Sequence, residues 1–152
     1  MFRGIHTVNL DAKGRMAIPK RYRQRLMGIA AGQLIVTIDP EESCLLLYPQ
    51  PEWEEIEAQI AALPSLNKVA RRLQRLLIGH AVEVEMDSNG RILIAAPLRD
   101  YATLNKQMVL LGQGKKFELW DEKCWQTRRD NWLNEESGGD DSLPDALGKI
   151  VL

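Results

Sequence analysis

Asp11-Ala-Lys-Gly-Arg15 returns 76 residues later as Asp87-Ser-Asn-Gly-Arg91. The flanks align at the same spacing. His6, Val8 and Leu10 fall on Val82, Val84 and Met86, Met16-Ala-Ile18 on Ile92-Leu-Ile94, and Tyr22-Arg23 on Leu98-Arg99. Further on the offset shrinks. Gln33–Val36 match Gln107–Leu110, then Leu45–Tyr48 match Phe117–Trp120, and Trp53 matches Trp125. The lost residues lie where the loop Asp39–Ser43 becomes the shorter Gly112–Lys115. A chain of 152 residues that spends itself on two copies makes each copy too small to bury an adequate core alone.

Each copy reads as ββαββ. Val82, Val84 and Met86 alternate with Glu83 and Glu85, the period of a half-buried strand. A turn follows, with Gly14 or Gly90 supplying positive φ and Asp11 or Asp87 accepting backbone N–H groups. A short second strand runs from Arg15 to Ile18 and from Arg91 to Ile94. A helix is predicted over Pro19–Met27, with proline suited to its first turn. Two more strands are predicted at 33–38 and 44–48, and again at 107–111 and 116–120. The fold class is therefore α+β, mainly β with α.

Between the copies, Trp53, Ile56, Ile60 and Leu63 mark one helix face, ended by Pro64. Ser65 is the expected cap of a second helix with apolar positions Leu66, Val69, Ala70, Leu73, Leu76 and Leu77. The expected organisation is repeat one at 5–52, a helical hairpin at 53–80 and repeat two at 81–124. A helix start and an acidic, Gly-rich flexible tail fill 125–152. Leu143, Leu147 and Ile150 suggest a frayed turn within that tail. The hairpin's apolar stripe is expected to pack on the β units.

Net charge is −1, which taken whole disfavours a strongly basic nucleic-acid binder. Charge is segregated, however. Residues 1–25 hold seven cations against Asp11 alone, while residues 118–152 hold nine acids against four bases. A local basic patch binds phosphate whatever the total. Lys68, Arg71, Arg72 and Arg75 are expected on a solvated helix face.

Other functions find little support. Cys44 and Cys124 form no Cys-x-x-Cys motif, and such sparse use suits a reducing cytosol. The first fifteen residues lack the apolar run of a secretory signal, and no stretch approaches a membrane span. A soluble, cytoplasmic protein without membrane contact is expected. His6, in the register of Val82, is expected to pack, and His80 to cap helix carbonyls. No metal constellation, catalytic group or cofactor loop is discernible. The four tryptophans are expected as core or interface anchors.

A lone Asp-x-x-Gly-Arg is a common hairpin turn, with Asp and Arg paired. Its context is more specific. Asn9-Leu-Asp-Ala-Lys-Gly-Arg-Met-Ala-Ile-Pro19 resembles the AbrB-type swapped-hairpin signature. Two copies flanking a helical hairpin resemble the MraZ family of bacterial transcriptional regulators. Met1-Phe-Arg-Gly, Leu46-Leu-Tyr-Pro49 with Trp53, Arg72-x-x-Gln-Arg75 with Gly79, and Lys116-Phe-Glu-Leu-Trp120 carry the same resemblance, over residues 1–133. It implies two AbrB-like units folded as a pseudo-dimer and subunits assembled as a homo-oligomeric ring. It implies binding of double-stranded promoter DNA at short G-rich direct repeats upstream of the division and cell-wall gene cluster, repression of that cluster, and nucleoid association. The family motif falls on Asp11 to Arg15 and Asp87 to Arg91. The expected DNA-binding residues are Arg15, Arg91, Lys13 and Arg3, supported by Asp11, Gly14, Asp87 and Gly90. Copy two departs in two ways. Its proline sits at Pro97 rather than Ala95, and Ser88-Asn89 replaces Ala12-Lys13.

The chemistry fits. Arginine's planar fork pairs with guanine O6 and N7, and a β-ribbon enters the major groove. A ring would raise the effective concentration of each next contact. Two rivals remain: an AbrB-like antitoxin, and a ring-forming scaffold or interaction protein that needs no Arg15.

Overall fold

The segments around Leu34–Ile38, Leu45–Tyr48, Met108–Leu111 and Phe117–Trp120 are apolar at nearly consecutive positions, which suits strands covered on both faces. The computed structural model, which describes residues 1–135, 149 and 150, places these four at the centre of a six-stranded antiparallel sheet. The elements run β1 (Phe2–Asn9), β2 (Arg15–Ala17), α1 (Lys20–Ala30), β3 (Gln33–Ile38), β4 (Leu45–Pro49), α2 (Gln50–Ala61) and α3 (Lys68–Leu73). A π-helical turn at Gln74–Ile78 continues α3. Then come β5 (Val82–Glu85), β6 (Arg91–Leu93), α4 (Ala96–Tyr101), β7 (Gln107–Gly114), β8 (Lys116–Asp121) and α5 (Glu122–Asn134).

The strand order is β1-β7-β8-β4-β3-β5, with β2 and β6 in a separate two-stranded ribbon. The first strand of each copy thus pairs with the third strand of the other. β1 runs along β7 from Phe2↔Gly114 to Asn9↔Gln107, and β5 along β3 from Val36↔Val82 to Gln33↔Glu85. β4 and β8 close the centre through Leu45↔Leu119 and Leu47↔Phe117. Neither copy completes a sheet without the other.

Alternation along the strands divides the core. Leu34, Val36, Leu45, Leu47, Leu110, Phe117 and Leu119 point to one face, where Met16, Ile18, Tyr22, Leu26, Ile92, Ile94 and Leu98 cover them. This layer belongs to the ribbon, α1 and α4. On the opposite face Ile35, Leu46 and Tyr48 meet Trp53, Ile56, Leu77 and Ile78 of the helical hairpin. Val109 and Trp120 meet Trp125 of α5 there. The hairpin therefore packs on the sheet as expected, and α5 covers the matching ground on copy two.

Several boundaries differ from expectation. β1 starts at Phe2 because β7 extends to Gly114 and offers it a backbone edge. Phe2 is then buried against Phe117, with ring centroids 4.3 Å apart. The cap of α3 is Asn67, whose side chain accepts the Ala70 N–H at 3.0 Å, rather than Ser65. Leu66 and Val69 consequently face solvent at 93% and 67% exposure, which removes them from the apolar stripe. Gly79 closes the π turn, donating to the Gln74 carbonyl at 3.1 Å. A Cβ there would overlap the Arg75 carbonyl. α4 begins with Pro97 in its first turn. α5 begins at Glu122 rather than 125, because Asp121 caps it by accepting the Cys124 N–H. The expected loose tail lies largely outside the described residues, as do Leu143 and Leu147; Ile150 is exposed. No described helix is long and apolar enough to cross a membrane.

Candidate nucleic-acid interface

Both Asp-x-x-Gly-Arg turns have the same wiring. Asp11 Oδ1 accepts the Lys13 N–H at 2.8 Å and the Arg15 N–H at 2.9 Å, and Oδ2 accepts Arg15 Nε at 3.1 Å. Asp87 repeats this with the Asn89 N–H at 2.8 Å, the Arg91 N–H at 2.9 Å and Arg91 Nε at 3.2 Å. Gly14 and Gly90 take φ of 83° and 74°, a region where a Cβ is costly. The backbone N–H of Arg15 is the leading reason the Asp11 carboxyl sits below its usual range; the Lys13 N–H and the Arg15 guanidinium add to it. Asp87 is lowered in the same way, first by the Arg91 N–H. Each aspartate therefore stays ionised and holds its arginine by Nε.

The two hairpins interlock. β2 and β6 pair as Arg15↔Leu93, Met16↔Ile92 and Ala17↔Arg91. The Ile18 N–H donates to the Gly90 carbonyl and the Ile94 N–H to the Gly14 carbonyl, both at 2.8 Å. Met16 and Ile92, each 1% exposed, face the core. By alternation Arg15, Ala17, Arg91 and Leu93 share the outer face. The arginines occupy opposite corners of this ribbon, related by a pseudo-twofold axis through the Met16–Ile92 pair. Their side chains are 33% and 36% exposed. With Nε committed to aspartate, the Nη groups form the free part of each fork.

Lys13 lies exposed in the first turn, with Asn89 at its place in the second. Arg3 is not brought to the ribbon. It pairs with Gln113 six residues before Asn9 on β1, about 20 Å from the hairpin end of the strand. There it joins Arg21 and Arg25 around one cleft. The sequence also hid two supports. Arg23 lies across Gly90 and Arg99 across Gly14, and Arg23 Nε donates to the Ile18 carbonyl at 2.6 Å. Their match at the 76-residue offset was the available signal.

Both histidines are engaged elsewhere. His6 Nε2 bonds to Tyr22 Oη at 2.8 Å, and the Tyr22 hydroxyl donates to the Arg3 carbonyl. His80 Nδ1 meets the Leu76 carbonyl at 2.8 Å, as a helix-end cap. Lys68, Arg71, Arg72 and Arg75 are all exposed. Asp39, Cys44 and Glu118 cluster, yet burial pushes the Cys44 thiol well above its ordinary range, with Glu118 and Asp39 adding to the effect. Asp39 already accepts the Glu41 and Glu42 N–H groups, and Glu118 accepts Trp120 Nε1.

Comparison with known proteins agrees with this architecture. A family model described as MraZ protein, antitoxin-like, matches residues 1–76 and again 77–141. A transcriptional regulator MraZ from Alkalilimnicola ehrlichii is 55% identical over 152 residues, covering both chains completely. Namesakes from Halorhodospira halophila and Legionella pneumophila are 54% and 52% identical over the same full span.

Proposed function

The chain belongs to the MraZ family, a family of transcriptional regulators rather than enzymes, and from that membership we propose that the β2–β6 ribbon is its DNA-reading element. The observation that carries this is the pair of outward arginines, Arg15 and Arg91, each oriented by its own aspartate. The free Nη groups present a fork matched to guanine O6 and N7, while the aspartate repels the phosphate backbone and steers the fork toward bases. A two-stranded ribbon fits a major groove about 12 Å wide. Lys13 serves as a phosphate contact beside the first turn. Arg3, with Arg21 and Arg25, serves as an outlying one, because about 20 Å of DNA is roughly six base pairs.

A guanine-directed fork accords with G-rich promoter repeats. The target in this reading is the set of direct repeats upstream of the division and cell-wall gene cluster, which the protein represses. One pseudo-dimer offers one short ribbon and so a weak contact. A homo-oligomeric ring of such ribbons would convert regularly spaced repeats into a tight site by effective concentration. The protein would then act in the cytoplasm, at the nucleoid.

The test is a mobility shift with the DNA upstream of its own gene, comparing wild type with Arg15→Ala and Arg91→Ala. Both variants lose the specific complex while the assembly keeps its size in solution. Wild-type affinity in both variants would overturn the assignment and favour a scaffold.

A further inference from the structure

The ribbon's pseudo-twofold symmetry is broken on its outer face. Arg15 and Arg91 are equivalent, but the residue opposite Arg15 is Leu93 and the residue opposite Arg91 is Ala17. Leu93 is 54% exposed, although its neighbour Ile92 is 1% exposed and the strand has a core to face. Singly exposed leucines are ordinary on protein surfaces; what sets this one apart is its place on the outer face directly opposite Arg15, where the pseudo-symmetric position opposite Arg91 holds only Ala17. Directly opposed residues in an antiparallel pair have Cβ atoms about 4.5–5.5 Å apart. Successive base pairs stand about 3.4 Å apart. A base contacted by Leu93 therefore lies close to the base gripped by Arg15. The apolar feature of the major groove is the C5-methyl group of thymine.

Charge breaks the symmetry in the same direction. Residues 1–25 carry seven cations and one acid, whereas the corresponding 77–101 carry two cations and four acids. The Arg15 end of the ribbon has Lys13 in its turn; the Arg91 end has Asn89.

Resting on the DNA-reading assignment above, we propose that the ribbon reads DNA with a fixed polarity. Leu93 is a specificity-determining residue that contacts the 5-methyl group of a thymine beside the guanine held by Arg15. Ala17 is too short to do the same beside Arg91. A symmetric reader would be indifferent to strand direction and suited to palindromes. This one distinguishes the two directions, which is what identical subunits need if each is to bind successive sites in one orientation.

The experiment selects duplexes from a randomised library with the full-length protein, in parallel for wild type, Arg15→Ala, Leu93→Ala and Ala17→Leu. The selected duplex is then remade with deoxyuridine in place of the indicated thymine. Wild type is expected to enrich an asymmetric site with thymine near guanine, and to bind the deoxyuridine duplex about fourfold more weakly, the worth of one buried methyl. Leu93→Ala is expected to keep the guanine and bind both duplexes alike. Ala17→Leu is expected to gain a thymine preference at the symmetric position. Exposed Leu93 and Ala17 leave folding intact, which an unchanged melting temperature checks. Equal binding of both duplexes by wild type, or an undiminished difference in Leu93→Ala, overturns polarity by Leu93 while Arg15→Ala still reports a DNA reader. Enrichment of no site by wild type, or full binding by Arg15→Ala, overturns the DNA reading and this inference with it.

Discussion

Arg23 of the first copy lies across Gly90 of the second, so closely that a Cβ on Gly90 would stand 2.7 Å from Arg23 Cζ and nearer still to Nε. The glycine is thus needed twice, for its φ of 74° and for the guanidinium above it. Gly90→Ala should cost roughly 2–4 kcal/mol, combining left-handed strain with overpacking. Urea denaturation measures this. The same change in an Arg23→Ala background should recover the overpacking part, as a double-mutant cycle reports. A neutral Gly90→Ala would show that the copies do not interlock in this way.

Leu119 is fully buried in β8 opposite Leu45 of β4, at the seam where the two copies join. Leu119→Ala should destabilise by about 2–5 kcal/mol, the range for a large-to-small change that leaves a cavity. The loss should appear in a single unfolding transition, because neither copy has a complete sheet. Two separate transitions would mean that the copies fold independently.

Acid should act on the turns. Asp11 and Asp87 are held below the usual carboxylate range, first by the Arg15 and Arg91 amides and then by the further amides and guanidinium groups they accept. A depressed folded pKa contributes stability that is fully present above the unfolded value and is lost as pH falls through the folded one. The turns should therefore be intact from neutral pH to about 4 and weaken below it. Stability titrations of wild type should fall more steeply between pH 4 and 2 than those of the Asp11→Asn, Asp87→Asn double variant. Parallel curves would remove the aspartates from turn stability.

Lys13 and Asn89 hold matching positions in the two turns. If Lys13 neutralises a phosphate, Lys13→Ala should lower the slope of log affinity against log salt by about 1 while leaving base preference unchanged. Asn89→Ala should leave the slope where it is. Binding measured across a salt series distinguishes them.

Much of this was legible in the chain. Repetition at a 76-residue offset disclosed two ββαββ copies, and the alternation around Val82 and Val84 gave β5 its faces, since Glu83 and Glu85 are indeed exposed. The central strands at 33–38 and 107–111 are legible because continuous apolar runs survive any change of partner, although β7 runs on to Gly114 where β1 pairs with it. The apolar stripe of the helical hairpin predicts its packing on the sheet, but it places the start of the second helix before its true start at Lys68. An apolar pattern cannot tell that Pro64 and the Asn67 cap leave Leu66 stranded in solvent. His6 and His80 were legible as packing and capping groups from register and position alone.

The sequence by itself determined the composition of each site: which residues form the turns, that Asp11 and Asp87 precede their arginines by four positions, and that the two halves differ in charge. Those are local matters, governed by hydrogen bonds and dihedral preferences within a few residues. Only the tertiary structure decided that β1 crosses to β7 and β5 to β3, that Arg15 and Arg91 share one outward face while Arg3 stands about 20 Å away, and that Leu93 rather than Ala17 stands beside Arg15. Pairing partners are chosen by burying both faces of one sheet at once, a condition on residues far apart in the chain.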